Sequence, residues 1–301
     1  GCETSGAGCA RGAKRGAQAA LGRGFPGLTL SMHAAAEFAT NASALERCLS
    51  VIAQGDIVIV TMLFLEDHFQ PLLPVLRARR EQCDAMVCAM SAGEVSKLTR
   101  MGKFDMSAPA SGLMALLKKL RGKASETADN KADSAAKATA GEKQMRMLRR
   151  LPKILRFIPG AAQDVRAYFL TLQYWLAGSE DNVGRMVHYL VDRYAAGPRR
   201  SLHGLVKTLE PVEYPELGVY HPRMSPRLSE SAVDLPRMAT SGQRGTVGLL
   251  LLRSYLLAGN ASHYDGVITA LEARGLRVLP VFATGLDARP AIEKFLFDAG
   301  G

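Results

Sequence analysis

Aromatic residues make up only 6% of the sequence, with a single tryptophan, Trp175. Without aromatics interleaved among basic residues there is no stacking platform for single strands, so nucleic acid is not expected as a partner. No G-x-x-x-x-G-K-[ST] loop occurs, so ATP is not bound here in the P-loop manner and any nucleotide hydrolysis falls to a partner. H-E-x-x-H, G-x-S-x-G and G-x-G-x-x-G are also missing, which leaves the common hydrolase and dinucleotide readings unsupported. The five cysteines, Cys2, Cys9, Cys48, Cys83 and Cys88, are odd in number and form no C-x-x-C pair, which points to reduced thiols in the cytosol. Long apolar runs are lacking too: Val247 to Leu257 is too short for a bilayer and is interrupted by Arg253. With no signal-peptide core either, the glycosylation patterns at Asn41 and Asn260 carry no weight.

What is present is a globular composition. The chain has 301 residues, 48% of them hydrophobic, enough for about two domains. The formal net charge of +10 favours an anionic partner: an acidic protein, an acidic membrane surface or a ligand bearing carboxylates.

Residues 1–24 are small, glycine-rich and basic, and read as a disordered or artefactual start. Leu28 to Met32 suggests a short strand, and Leu45, Leu49 and Ile52 give helical spacing over Ala42 to Ala53. Ile57 to Phe64 is a continuous β-branched and apolar run, the pattern of a strand covered on both faces. A helix over Glu66 to Arg80, a second strand over Ala85 to Met90 and a helix opened by Ser91-Ala92-Gly93-Glu94 complete an alternation that predicts α/β architecture, an open and mostly parallel sheet with added helices. Residues 25–209 form this head domain. Within it, Lys123 to Lys143 lacks large apolar residues and is expected to be a mobile insertion. Helices are predicted over Met145 to Ile158, Ala161 to Leu176 and Glu180 to Tyr194. Residues 210–237, rich in Pro and Arg, read as an extended linker. Residues 238–301 then begin a second α/β domain: strands at Thr246 to Leu252 and Leu276 to Phe282, helices at Ser262 to Arg274 and Ala288 to Phe297. Two strands rarely hold an open sheet, so this domain reads as truncated.

Three groups of residues are candidates for chemistry. Glu66, Asp67 and His68 follow the first buried strand, where open α/β sheets place ligands, although acids in a first helical turn also complement the macrodipole. Asn260, His263 and Tyr264 occupy the corresponding place after the strand at Thr246, where His and Asn suit a metal or a carboxylate and a lone surface His is the plainer account. Arg146, Arg149, Arg150, Lys153 and Arg156 interleave with Met145, Leu148, Leu151, Ile154 and Leu155, a basic amphipathic helix suited to propionates, acidic lipid or an acidic subunit. Ser91 with Glu94 reads as a capping box. His33, His188, His203 and His221 have no companions at metal-ligand spacing.

The segments GDIVIVTMLFLEDHFQPLLPVL, CDAMVCAMSAGEVSKLTRMGKFDM and MLRRLPKILRFIPGAAQDVRAYFLTLQYWLAGSEDNV resemble the amino-terminal domain of the magnesium chelatase large-subunit family. VGLLLLRSYLLAGNASHYDGVITALEARGLRVLPVFATGLDARPAIEKF is similar to the body domain that this family shares with the cobaltochelatase large subunit. The resemblance implies a porphyrin-binding subunit with protoporphyrin IX and Mg2+ as substrates, served by an AAA+ ATPase subunit and a second accessory subunit that use ATP. It implies a place in (bacterio)chlorophyll biosynthesis, in the cytoplasm or the plastid stroma, with any membrane contact peripheral. Two departures accompany it: the family's opening strand is absent from residues 1–24, and its chains are several times longer, so no catalytic residue is carried over. A noncatalytic porphyrin-binding or regulatory module, or a cobaltochelatase large subunit, are the alternatives.

Overall fold

The computed structural model describes residues 24–25, 27–108, 151–237, 243–284 and 287–297. Residues 1–23 of the expected disordered start, the mobile insertion at 123–143, and Arg146, Arg149 and Arg150 lie outside these residues. The described chain divides into two compact units, the first containing residues up to 176 with 185–211, the second 177–184 with everything from 212 onward.

In the first unit, α1 (Ala42–Gln54) is opened by Asn41, whose side chain accepts the Ala44 amide at 3.1 Å. It leads into β1 (Ile57–Thr61). The predicted single helix after β1 is broken into α2 (Glu66–Phe69), a 3-10 turn at Gln70–Leu72 and α3 (Leu73–Arg80). Pro71 and Pro74 explain the breaks, since neither donates an amide and each sits in the first turn of the piece that follows. β2 (Ala85–Ala89) is buried at every residue and pairs with β1 in parallel, Ile57 opposite Ala85 through Thr61 opposite Ala89. After the short α4 (Gly93–Ser96), the hairpin of β3 (Arg100–Met101) and β4 (Phe104–Asp105) completes the order β1-β2-β3-β4, with β3 antiparallel to β2. The core beneath it joins Ile52, Val58, Leu72, Leu76, Met86 and Val95.

Three local expectations change. Residues 28–34 hold no strand; the described residues offer them no partner strand. Among the described residues β1 is an edge strand, with only Val58 fully buried, so it does not show the burial of a strand covered on both faces. Ser91 does not cap α4, whose N-cap is Ala92. Its hydroxyl accepts the Leu63 amide at 3.1 Å and donates to Ala89 O at 3.1 Å, tying the loop after β1 to the end of β2. Those two loops begin alike, Met62 at φ 60° and Met90 at φ 48°, a left-handed backbone that bulky residues rarely adopt.

Two long helices follow, α5 (Ala162–Ala177) and α6 (Glu180–Tyr194), which belong to the first unit up to Leu176 and from Arg185 onward. The buried Asp164 on α5 accepts three donors: the Lys103 amide at 2.9 Å, the Arg193 guanidinium at 3.0 Å and the Tyr194 hydroxyl at 3.0 Å. Gly102, at φ +57°, makes room for it, because a Cβ there would lie 2.6 Å from Asp164 Oδ2. Asp84 likewise takes both arms of Arg199 at 3.0 Å and the Ala196 amide at 2.9 Å.

The carboxylates of Asp84 and Asp105 make the first unit acid-sensitive. Burial alone would raise the Asp84 and Asp105 carboxyls. Hydrogen bonds from Arg199 and Ala196 outweigh it at Asp84, and those from Arg80 and Ser107 hold Asp105 at about 2 against an ordinary 3.8. A folded-state pKa below the unfolded one gives stability that is complete above the unfolded value and lost as pH falls through the folded one. Urea midpoints of the chain are therefore expected to fall between about pH 4 and pH 2, and to fall less in an Asp84→Asn/Asp105→Asn variant. Equal slopes in the two proteins would refute the assignment.

The second unit differs most from expectation. Residues 210–237, expected to be a linker, contribute β5 (Leu217–Tyr220) and β6 (Leu228–Ser229) to a four-stranded sheet of order β6-β5-β8-β7. β7 (Gly245–Leu252) leads through α7 (Arg253–Leu257) and α8 (Ser262–Glu272) to β8 (Leu276–Ala283) and α9 (Arg289–Phe295). β7 and β8 are parallel over eight residue pairs, and β5 runs antiparallel to β8, Val219 opposite Val281. The expected two-stranded sheet is thus completed by the segment read as a linker. Tyr220, Leu251, Ile268 and Phe282 form the core on the α8 side, and Val219, Val281 and Ala291 another that takes in α9. Both sheets keep their long pairings parallel and their antiparallel ones to two or three residues, so the α/β class with parallel strands at its heart holds. Among the described residues, no helix is long and apolar enough to cross a membrane.

Candidate functional site

The second unit contains a cleft of about 550 Å³ between the α7–α8 connection and the β5–β6 hairpin. That volume falls in the range of small-molecule sites. Pro215, Pro226, Leu228, Leu256 and Ala261 give it apolar walls, and Tyr214, Tyr220, Arg227, Ser262 and Asp265 supply polar atoms. It forms here because the turn after α7 carries Gly259 and Ala261 into α8, whose first turn presents Ser262 and Asp265.

Tyr220, at the end of β5, donates its hydroxyl to Asp265 Oδ1 at 2.5 Å. Burial and the bond to this carboxylate push the Tyr220 phenol up to about 12, so it remains a donor at neutral pH. Arg227 Nη1 lies 3.9 Å from Asp265 Oδ2, beyond hydrogen-bond range.

The hairpin loop is fastened at its other end to the last turn of α8. Buried His221 accepts the Arg223 amide on Nδ1 at 3.2 Å, which places the proton on Nε2, the atom 3.1 Å from Glu272 Oε1. Arg223 reaches the same carboxylate oxygen at 2.8 Å. Arg253 donates to Pro215 O at 2.7 Å and Tyr214 O at 3.1 Å, holding the segment that forms the near wall. The arrangement is an apolar slot with a Tyr–Asp pair and an arginine along one side, suited to a flat apolar molecule bearing acid groups.

Asn260, His263 and Tyr264 belong to the loop and helix turn that border this cleft, but they do not line it. His263 packs against Tyr264 with ring centroids 3.9 Å apart and the planes tilted by 43°, and it meets Tyr255 edge-on at 5.3 Å. The Tyr264 hydroxyl accepts the Leu252 amide at 3.2 Å, and Asn260 donates its backbone amide to Tyr255 O. Glu66, Asp67 and His68 form the first turn of α2, where Glu66 accepts Gln70 at 3.4 Å. Among the described residues, no three His, Cys, Asp or Glu side chains are grouped to hold a metal ion. Lys153 and Arg156 are exposed, beside Phe157, which is 84% exposed. The residues missed from sequence were Tyr214, Tyr220, Arg227 and Asp265. The proline-bracketed basic run His221 to Arg227, read as a connection, was their available signal.

Residues 8–169 match the family described as "Domain of unknown function (DUF3479)", and residues 172–301 the family described as "CobN/Magnesium Chelatase". The magnesium-chelatase H subunit of Cereibacter sphaeroides is 51% identical over 281 residues, 93% of this chain and 22% of that protein. The corresponding H subunit of Rhodobacter capsulatus is 48% identical over 90% of this chain and 22% of that one. The chloroplastic ChlH subunit of Oryza sativa subsp. indica is 29% identical over 82% of this chain and 18% of that one. The chain thus spans about a fifth of the length of the curated relatives it matches. A solved structure, the catalytic subunit of cobaltochelatase from Mycobacterium tuberculosis, aligns over 95% of this chain and 16% of its own at 15% identity and a TM-score of 0.42, a likeness too slight to carry an argument. Matched along more than half its length by the first family, along the rest by the second, and at 51% identity by the Cereibacter protein, the chain belongs to the family of magnesium-chelatase H subunits.

Proposed function

We propose that this chain is a segment of the porphyrin-binding subunit of an ATP-dependent magnesium chelatase, which inserts Mg2+ into protoporphyrin IX in (bacterio)chlorophyll biosynthesis. The observation that carries this reading is the 51% identity sustained over 281 residues. In this reading Mg2+ and the porphyrin are substrates of the whole subunit, and an AAA+ ATPase subunit with a second accessory subunit supplies the work of ATP hydrolysis. The reaction must strip water from an ion that dehydrates reluctantly and remove two pyrrole protons, which calls for a dry, closing site. The cleft beside Asn260 and His263 is the part of this chain that meets the ring. The exposed turn of Lys153 and Arg156 is the face offered to an acidic partner. Its place would be the cytoplasm, or the plastid stroma in a plant or alga, with any membrane contact peripheral.

Two measurements test the proposal. Deuteroporphyrin IX added to the chain should quench Trp175 fluorescence saturably, whereas a charge-matched unrelated protein shows only linear loss. With partner subunits, ATP, Mg2+ and porphyrin, the chain should yield no magnesium porphyrin, and the whole-length subunit should restore it. Metallation by the chain unaided, or a titration without saturation, would count against the reading.

A further inference from the structure

We propose that Arg227 binds a carboxylate of the ring substrate in the cleft of the second unit, turning to it from a loose 3.9 Å approach to Asp265 that makes no hydrogen bond. This rests on the chelatase reading and deepens it by naming the group that recognises the acid side chains of the ring.

Other arginines near the cleft are bound into the fold: Arg223 holds Glu272 at 2.8 Å, and Arg253 holds the carbonyls of Pro215 and Tyr214. Elsewhere Arg199 grips Asp84 with two bonds at 3.0 Å. Arg227 is different. Its side chain is as exposed as that of Arg223, but its nearest carboxylate, Asp265, lies at 3.9 Å rather than within hydrogen-bond distance. Its charge also works against the upward push on the Tyr220 phenol, which keeps its own acceptor in Asp265. Asp265 does not depend on Arg227, since Tyr220 already donates to that carboxylate at 2.5 Å. Turning Arg227 toward a ligand therefore leaves no buried carboxylate without a donor.

Of the described residues that line the cleft, Arg227 is the cation, and it faces walls of Pro226, Leu228 and Leu256. A planar guanidinium offers two parallel donors to a carboxylate, a match that an ammonium lacks. An apolar macrocycle with acid substituents satisfies both features together, its rings against the prolines and leucines and one acid on Arg227. Asp265, also in the cleft, repels the same acid and so limits its affinity.

The test compares two rings of equal size, deuteroporphyrin IX and its uncharged bis-amide, titrated into the chain and followed by porphyrin fluorescence anisotropy. The wild-type chain should bind the acid about tenfold or more tightly than the amide, the scale of one charge-assisted contact. Arg227→Gln should bring the acid down to the level of the amide and leave the amide unchanged. Arg227→Lys should fall between, and Asp265→Asn should tighten the acid. Far-UV circular dichroism and melting of each variant report folding, and a variant that has lost its fold is replaced by Arg227→Met in the same comparison. Equal binding of acid and amide by the wild-type chain, or acid binding unmoved by Arg227→Gln, overturns the role of Arg227 and leaves the chelatase reading standing. Saturable binding of neither ring removes the porphyrin from this chain, and the role of Arg227 with it.

Discussion

Replacing Asp164 by alanine should lower the unfolding free energy of the first unit by about 3–5 kcal/mol, the scale for removing one partner of a buried ion pair. The loss is large because Asp164 serves three donors at once: an amide between β3 and β4, and two side chains on α6. Once it is removed, the Tyr194 hydroxyl and the Lys103 amide lose an acceptor, and the Arg193 guanidinium loses its countercharge. Arg193 keeps part of its side chain in solvent, which places the expected value nearer the lower end. Urea unfolding followed by circular dichroism measures it. Asp164→Asn, which keeps the shape and loses the charge, should fall between wild type and alanine. A change below about 1 kcal/mol in the alanine variant would mean that the three donors find water, and that the junction of the hairpin with α5 and α6 is not held by this carboxylate.

Ile268→Ala should cost the second unit about 2–5 kcal/mol, the range for emptying a fully buried aliphatic site. Ile268 is completely buried on α8 in a core shared with Tyr220, Leu251, Val278 and Phe282. Tyr220 belongs to the segment read from sequence as a connection, so this variant also tests whether that segment is part of the fold. Hydrogen exchange should show the amides of Leu217 to Tyr220 losing protection in step with those of β8. Independent, fast exchange in β5 before and after the substitution would return 210–237 to the status of a linker.

What could be read from the residues followed the strength of their period. β2, β7 and β8 carry long apolar or β-branched runs, and α6 repeats Val183, Met186, Val187, Leu190 and Val191 on one face, so these elements were placed within a residue or two. β5 has four residues, one of them Gly218, within a proline- and arginine-rich stretch, too little sequence for a period to show. Its strand character comes from pairing with β8, an interaction with residues some sixty positions away. The site shows the same division. The rule that ligands gather beyond the carboxyl ends of parallel strands led to Asn260, His263 and Tyr264, beside the cleft. It could not foresee that His263 and Tyr264 pack against each other, or that polar lining comes from Tyr220 and Arg227, which only the antiparallel hairpin brings opposite α8. The helix after β1 was legible as helix, but its division was not, although Pro71 and Pro74 were in plain view.

The methionines that end β1 and β2 constrain which sequences this edge tolerates. Each holds a conformation costing on the order of 1–2 kcal/mol for a residue with a Cβ, and the two stand side by side because Thr61 pairs with Ala89. Valine or isoleucine at either place would add the crowding of a branched Cβ, while asparagine fits the left-handed turn with least disturbance. Glycine would relieve the local strain but enlarge the freedom of the unfolded chain by a similar amount, leaving the balance nearly where it was. At positions 62 and 90, then, the backbone sets which residues are tolerated, and side-chain chemistry is free to vary only among unbranched or amide-bearing residues.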